Sequence, residues 1–321
     1  MVLYSTILYK TNLSKKGEMI IINKKSSNRR AFLKQGALLG GGIVLAGANP
    51  ESVIGEEKPK EAGGELTQQT NETLKSIQSL RTIHGSFIDK PIPEAALQTI
   101  LQASVRAANT TNLQNYSIVV VKDREKMKQV CTYQGGCVLV YCVDYNRAKS
   151  LAEHLGYSFF PDNMNCFCLS SIDAILAVQT AAITARSLGI DYLITNGIHR
   201  GDMDRLWKLL DLPPKHCFPL IAMVLGYATE EPAFQKGRLD GPGIIHYEKY
   251  HKLTKEEREE MVRQYDDPER HLTLEWWKAG QTPHYLDWLF TQWLPYSKPT
   301  EQETQVFHFI KRGGFVEAQK A

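Results

Sequence analysis

The chain has 321 residues, 43% of them hydrophobic and 23% charged, with a formal net charge of +3. Eight basic residues and one acid lie in residues 1–48, a local balance of +7, so the remaining 273 residues carry −4. A mildly acidic body argues against nucleic acid as a partner, and no segment after residue 48 approaches the uninterrupted apolar length of a membrane span.

The first element is the run Asn28-Arg29-Arg30-Ala31-Phe32-Leu33-Lys34, followed by a glycine-rich apolar stretch from Gly36 and the small residues Ala46-Gly47-Ala48. This pattern resembles a twin-arginine export signal ending in an A-x-A-like cleavage site. The alternative is a chance Arg-Arg before an anchor or core helix. However, the apolar run spans Gly36 to Ala48, and a spanning helix needs ~20 residues. Met19 is a second candidate start, placing Met19-Ile20-Ile21-Ile22 before the basic region. The expected organisation is a signal over 1–48, a polar linker over 49–71, and a single large domain over 72–321. A working signal places the protein in the periplasm. Export of a folded protein by this route implies a cofactor inserted in the cytoplasm; without the signal the protein is cytoplasmic.

Within the domain, Pro93 opens a helix with Leu97, Ile100, Leu101 and Val105 at helical spacing. Tyr116 to Val121 reads as a β-branched strand. Cys137 to Val143 is nearly continuously apolar, which predicts a central strand. Asp173 to Leu188 predicts a helix apolar almost all round and therefore buried, ended by Gly189. Strand follows over Ile190 to Ile194, a short helix over Met203 to Leu212, and a further strand over Phe218 to Gly226. Lys255 to Tyr265 predicts a charged surface helix, and four of the five tryptophans lie beyond it. Helices and strands without a strict βαβα repeat indicate an α+β class.

The six cysteines form no Cys-x-x-Cys pair, so the spacing of zinc ribbons and ferredoxin clusters is missing. Cys137 and Cys142 sit in the apolar strand, where buried thiols are common. Cys166-Phe167-Cys168 has two readings, a redox or metal pair completed by a histidine such as His154, or two ordinary thiols near a helix start. The second is favoured.

Candidate site residues fall in three places. Arg81 ends a helical segment and leads into Thr82, His84 and Gly85. Asn109, Thr110 and Asn112 form a cluster of short amide and hydroxyl groups between a helix and a strand, suited to the polar edge of a planar ligand. Lys236-Gly237-Arg238 sets two cations either side of a glycine, so that both can converge with Arg81 on one phosphate. Each piece alone is more often a cap, a turn or a solvated charge pair.

Together and in this order they resemble the nitroreductase family. Ala107 to Tyr116 aligns without gaps on the family's Ala-Pro-Ser-Ser-x-Asn-x-Gln-Pro-Trp segment, keeping Ala107, Asn112 and Gln114. Lys236-Gly237-Arg238-Leu239 matches the family's Lys-x-Arg-Leu, and Ala185-Arg186-Ser187-Leu188-Gly189 echoes its helix ending in Ala-Leu-Gly. The likeness covers residues 72 to 240 well and the tail more loosely. It implies a nitroreductase-like α+β fold, a central mixed sheet flanked by helices, in an intertwined homodimer binding FMN at the subunit interface. By position, Arg81, Lys236 and Arg238 hold the FMN phosphate. Asn109, Thr110 and Asn112 reach the flavin from the neighbouring subunit. Asn196-Gly197 presents the backbone amide that faces flavin N5, so no side-chain nucleophile is expected. One departure is Gly85, beside His84, where the family often carries a basic residue against the pyrimidine edge. Either His84 substitutes as donor, or a less positive environment lowers the flavin's reduction potential.

The resemblance implies two-electron, ping-pong transfer to a nitroaromatic, a quinone or a similar small acceptor. The alternatives are an exported non-catalytic flavin carrier and a reductive dehalogenase-like relative, since fold alone does not choose a substrate. The electron donor is NAD(P)H or, for an exported protein, a membrane or periplasmic donor. The tryptophan-rich tail, with Trp276, Trp277, Trp288 and Trp293, reads as core or dimer packing, with a substrate-lining role as the second reading.

Overall fold

A computed structural model describes residues 71–294 and 301–316. The twin-arginine segment, and the linker up to residue 70, lie outside the described residues.

In chain order the elements are α1 (Glu72–Gln78), α2 (Glu94–Ser104), β1 (Tyr116–Val121), α3 (Arg124–Cys131), β2 (Cys137–Asp144), α4 (Asn146–His154), α5 (Met164–Ser187), β3 (Asp191–Thr195), α6 (Asp204–Leu210), β4 (Cys217–Gly226), α7 (Lys255–Asp266), α8 (Tyr285–Trp288) and α9 (Glu301–Arg312). The strands form one sheet in the order β1-β2-β4-β3. Every neighbouring pair is antiparallel, so the α+β class holds while the sheet is antiparallel among the described residues rather than mixed. β2 is central, as its apolar run predicts, and Val138 to Val143 are fully buried. β4 is its second partner, with a register shift between Tyr141 and Cys142.

The long helix α5 lies against the sheet and α2. Its inner face is built of small residues, Ala174, Ala177, Ala181, Ala182 and Ala185, all fully buried, which lets helix and sheet approach closely. The Ser104 hydroxyl ties the layers together, 3.0 Å from Tyr141 Oη and donating to the Ala177 carbonyl at 2.9 Å. Opposite, Leu97 and Ile100 are buried at 1% and 0% exposure, each contributing on the order of 1.5–3 kcal/mol.

Three expectations for α5 change. It starts at Met164 rather than Asp173, because the Asn163 side chain caps it by accepting from the Cys166 N–H. It is not buried all round, since Ile172, Ile175 and Leu176 are 54%, 44% and 40% exposed. It also reaches a membrane span's length and composition, with 24 residues and an 18-residue stretch of mean hydropathy 1.7, yet its buried face packs on the core of this domain.

Cys166 and Cys168 stand in the first two turns of α5, and all six cysteines are free thiols. Burial pushes Cys137 up to about 12, and the Cys217 side chain followed by burial raises Cys142 well above an ordinary thiol. These strand thiols are packing groups, not nucleophiles.

Candidate functional site

The segment after α1 runs beside the sheet's β3 edge. The Ile83 N–H donates to the Tyr192 carbonyl at 3.0 Å, the Ile88 N–H to Tyr227 at 3.0 Å, and Phe87 pairs with Ala228 as an isolated bridge. Gly226 is required where this strap crosses, because a methyl group there would sit 2.6 Å from the Phe87 ring. The loop after β4 is drawn back to α1 by Gln235, whose Nε2 donates to the Gln78 and Leu80 carbonyls at 2.6 and 2.9 Å.

Between these segments lies a cleft of about 470 Å³, lined by Arg81, Thr82, Lys236 and Arg238 together with Gln179, Tyr192, Ile194 and Gln235. Cations from more than 150 positions apart thus meet at one place, and the volume is in the ordinary range for a ligand pocket. Gly237 has its own reason, since a methyl group there would meet the Arg270 carbonyl at 1.9 Å. The glycine lets the Lys-Gly-Arg loop lie against the 270–271 backbone, where its N–H donates to the His271 carbonyl at 3.3 Å.

The three cations are not equivalent. Arg81 is gripped by two carboxylates that sequence reasoning did not single out. Its Nε and Nη2 donate to both oxygens of Asp191 at 2.8 and 3.0 Å, and its other edge pairs with Glu231. Asp191 also accepts from Arg186 at 3.2 Å. Hydrogen bonds donated to Glu231 and then to Asp191 raise the Arg81 pKa, and the Arg81 contact lowers that of Glu231. Arg81 is therefore charge-compensated, not a free phosphate ligand. Lys236 donates to the Thr273 carbonyl at 2.8 Å and lies 3.9 Å from Glu275. Arg238 bonds only backbone carbonyls, Gly237 at 2.7 Å among them, and pairs with no carboxylate among the described residues.

Gly85 and Gly197 flank the ring of Tyr133, a residue the sequence did not single out. A methyl group at Gly85 would stand 2.9 Å from Tyr133 Cδ1 and one at Gly197 3.7 Å from Cε2. Gly85 also has φ +78°, which a basic side chain would adopt only under strain. The family's basic residue thus has neither space nor backbone freedom here. His84 faces the tail instead, edge-on to Trp276 at 6.2 Å. Asn196 precedes the turn Gly197–His199, and the Gly197 N–H donates to Thr195 Oγ1 at 2.9 Å.

Asn109, Thr110 and Asn112 do not line this cleft. Their loop is held on α5, where the Thr110 N–H and hydroxyl both donate to Asp173 Oδ1 at 2.8 and 3.0 Å. Asp173 is 1% exposed and its other oxygen has no partner among the described residues. Thr111, Asn112 and Gln114 adopt φ of 54°, 59° and 51°, a concentration of backbone strain of the kind found at functional loops.

No protein-family profile matches the chain. Among characterised proteins it is 31% identical over 208 residues to an FMN reductase [NAD(P)H] of Bacillus subtilis, covering 61% of this chain and 81% of that one. It is 29% identical over 211 residues to an NADPH-dependent oxidoreductase of Staphylococcus saprophyticus, covering 63% and 81%. Among solved structures, NfrA2 of B. megaterium superposes with a TM-score of 0.66 at 25% identity, covering 77% of this chain and 98% of that one. The NfrA1 nitroreductase of B. subtilis gives 0.65 at 25%, covering 76% and 98%. An antiparallel α+β core with a cationic cleft beside an edge strand, in this company, defines an FMN-dependent oxidoreductase. The chain belongs to the nitroreductase family.

Proposed function

We propose that the cleft beside β3 holds FMN and that the protein passes electrons in two-electron, ping-pong steps from NAD(P)H to a nitroaromatic, a quinone or a similar acceptor. The observation that carries this is the convergence of Arg81, Lys236 and Arg238 on one cleft. The donor set fits the group: Lys236 and Arg238 offer charge to a phosphate, while Thr82, Gln179 and Gln235 offer neutral polar contacts. Arg81 braces the wall through Asp191, and Glu231, whose side chain is 76% exposed, is free to swing away. Gly85 and Gly197 stand either side of the Tyr133 ring, and the N–H assigned to flavin N5 is that of Gly197, held on Thr195 Oγ1. When bound, FMN supplies the hydride chemistry; the protein supplies orientation and electrostatics. The donor assignment rests on the printed names of the relatives, FMN reductase [NAD(P)H] and NADPH-dependent oxidoreductase.

The 109–112 loop, remote from its own cleft, is assigned to the flavin of a second copy in a homodimer. The exposed apolar face of α5 supports that assignment. The test is anaerobic stopped flow on protein purified with its flavin. Rapid reduction by NADPH and reoxidation by a nitroaromatic or quinone are expected; reduced protein that neither acceptor reoxidises leaves only the carrier reading.

Arg29-Arg30 favours a second reading for the donor. If the chain is exported, NAD(P)H is out of reach and the electrons come from a membrane quinol or a redox partner. Cell fractionation separates the two readings, since cytoplasmic protein with NADPH turnover removes the second.

A further inference from the structure

The tail places its tryptophans differently from one another. Trp288 is buried at 6% and serves packing, whereas Trp276 and Trp293 keep 54% and 45% of their surface open. The three indoles nonetheless form one near-parallel column. Trp276 lies 5.0 Å and 17° from Trp293, and Trp293 lies 5.6 Å and 22° from Trp288. Trp293 ends a π-helical turn, Leu289–Trp293, of a kind frequent at functional sites.

Two independent anchors bring the open end of this column to the proposed FMN cleft. The His84 ring meets Trp276 edge-on, three residues from Arg81. Lys236, itself in the cleft, holds the loop before Trp276 through the Thr273 carbonyl and Glu275. More than half of the Trp276 indole stays open, and its ring is held between His84 and Trp293, next to segments that line the proposed FMN cleft.

Resting on the FMN reading above, we propose that Trp276, backed by Trp293, is the stacking platform for the electron acceptor, and that it selects planar, electron-poor rings such as nitroaromatics and quinones. The indole face is electron-rich, so a ring depleted by nitro or carbonyl groups extends the column favourably. The reduced product is electron-rich and loses that complementarity, which assists its release.

The test uses the oxidised holoprotein, which binds an acceptor without turning it over. Calorimetric titration with 1,3-dinitrobenzene should give saturable binding, and 1,3-diaminobenzene should bind about tenfold more weakly. Trp276→Ala should raise the dinitrobenzene Kd roughly five- to tenfold and Trp276→Phe by about two- to threefold, with FMN content retained. In turnover, Trp276→Ala should raise KM for dinitrobenzene and lower its kcat/KM relative to that for ferricyanide. An unchanged Kd in Trp276→Ala overturns the proposal, as does equal wild-type affinity for the two benzenes, a result that needs no variant. Dissociation of a dimer by Trp276→Ala also overturns it, because a second copy then covers the indoles. Wild-type protein without FMN fails the underlying reading instead.

Discussion

At the scale of single residues, the two carboxylates on Arg81 decide how the cleft works. Asp191 is nearly buried and shared between two arginines, so it is scaffold. Glu231 is exposed and sits where an incoming phosphate would compete with it. Glu231→Gln should tighten FMN binding about two- to fivefold, the scale of an exposed ion pair, as read by fluorescence titration of the apoprotein. His199 carries a pH dependence. Its ring, 8% exposed, lies 2.9 Å from the Pro219 carbonyl and fixes the turn that bears Gly197. Burial lowers its pKa, so the unfolded chain takes up the proton first. Its contribution is fully present above about pH 6.5, the unfolded value, and is lost as pH falls from there through the depressed folded value. Thermal midpoints should decline over that window. His199→Gln, which keeps an N–H for Pro219, should flatten the decline.

At the scale of elements, α5 does two jobs that its sequence separates poorly. Its alanine face builds the core, and Asp173 on the same helix reaches out to hold the 109–112 loop. Asp173→Ala should cost about 2 kcal/mol in urea unfolding, with Asp173→Asn costing less because Oδ1 can still accept. The strands were legible because uninterrupted β-branched runs leave few alternatives, and β2 falls where its sequence predicts. The start of α5 was not, since Cys166-Phe167-Cys168 reads as a possible ligand pair until Asn163 is seen to cap it. In the cleft, Arg81, Lys236 and Arg238 were legible through their order along the chain. Asp191, Glu231 and Tyr133 were not, because an acid at a strand start or an aromatic after a helix carries no signal until folding brings it alongside a partner. The tail tryptophans looked alike in sequence, and only packing divides buried Trp288 from open Trp276.

At the scale of the whole molecule, the cleft and the strained 109–112 loop lie apart on one chain, and α5 leaves Ile172, Ile175 and Leu176 facing outward. Both facts fit the proposed homodimer, in which the loop of one copy would reach the flavin of the other. Ile175→Glu should shift sedimentation from dimer to monomer and release FMN at the same time. A monomer that keeps its FMN would show that the loop is not needed from a partner.

The most direct test of the central claim is the flavin content of protein purified without added cofactor, compared with a Lys236→Ala/Arg238→Ala double variant. Stoichiometric FMN in the wild type, and a colourless folded variant that regains FMN only at high concentration, is the predicted result. A wild-type protein that is colourless and takes up no FMN, or a double variant that retains it fully, contradicts the account.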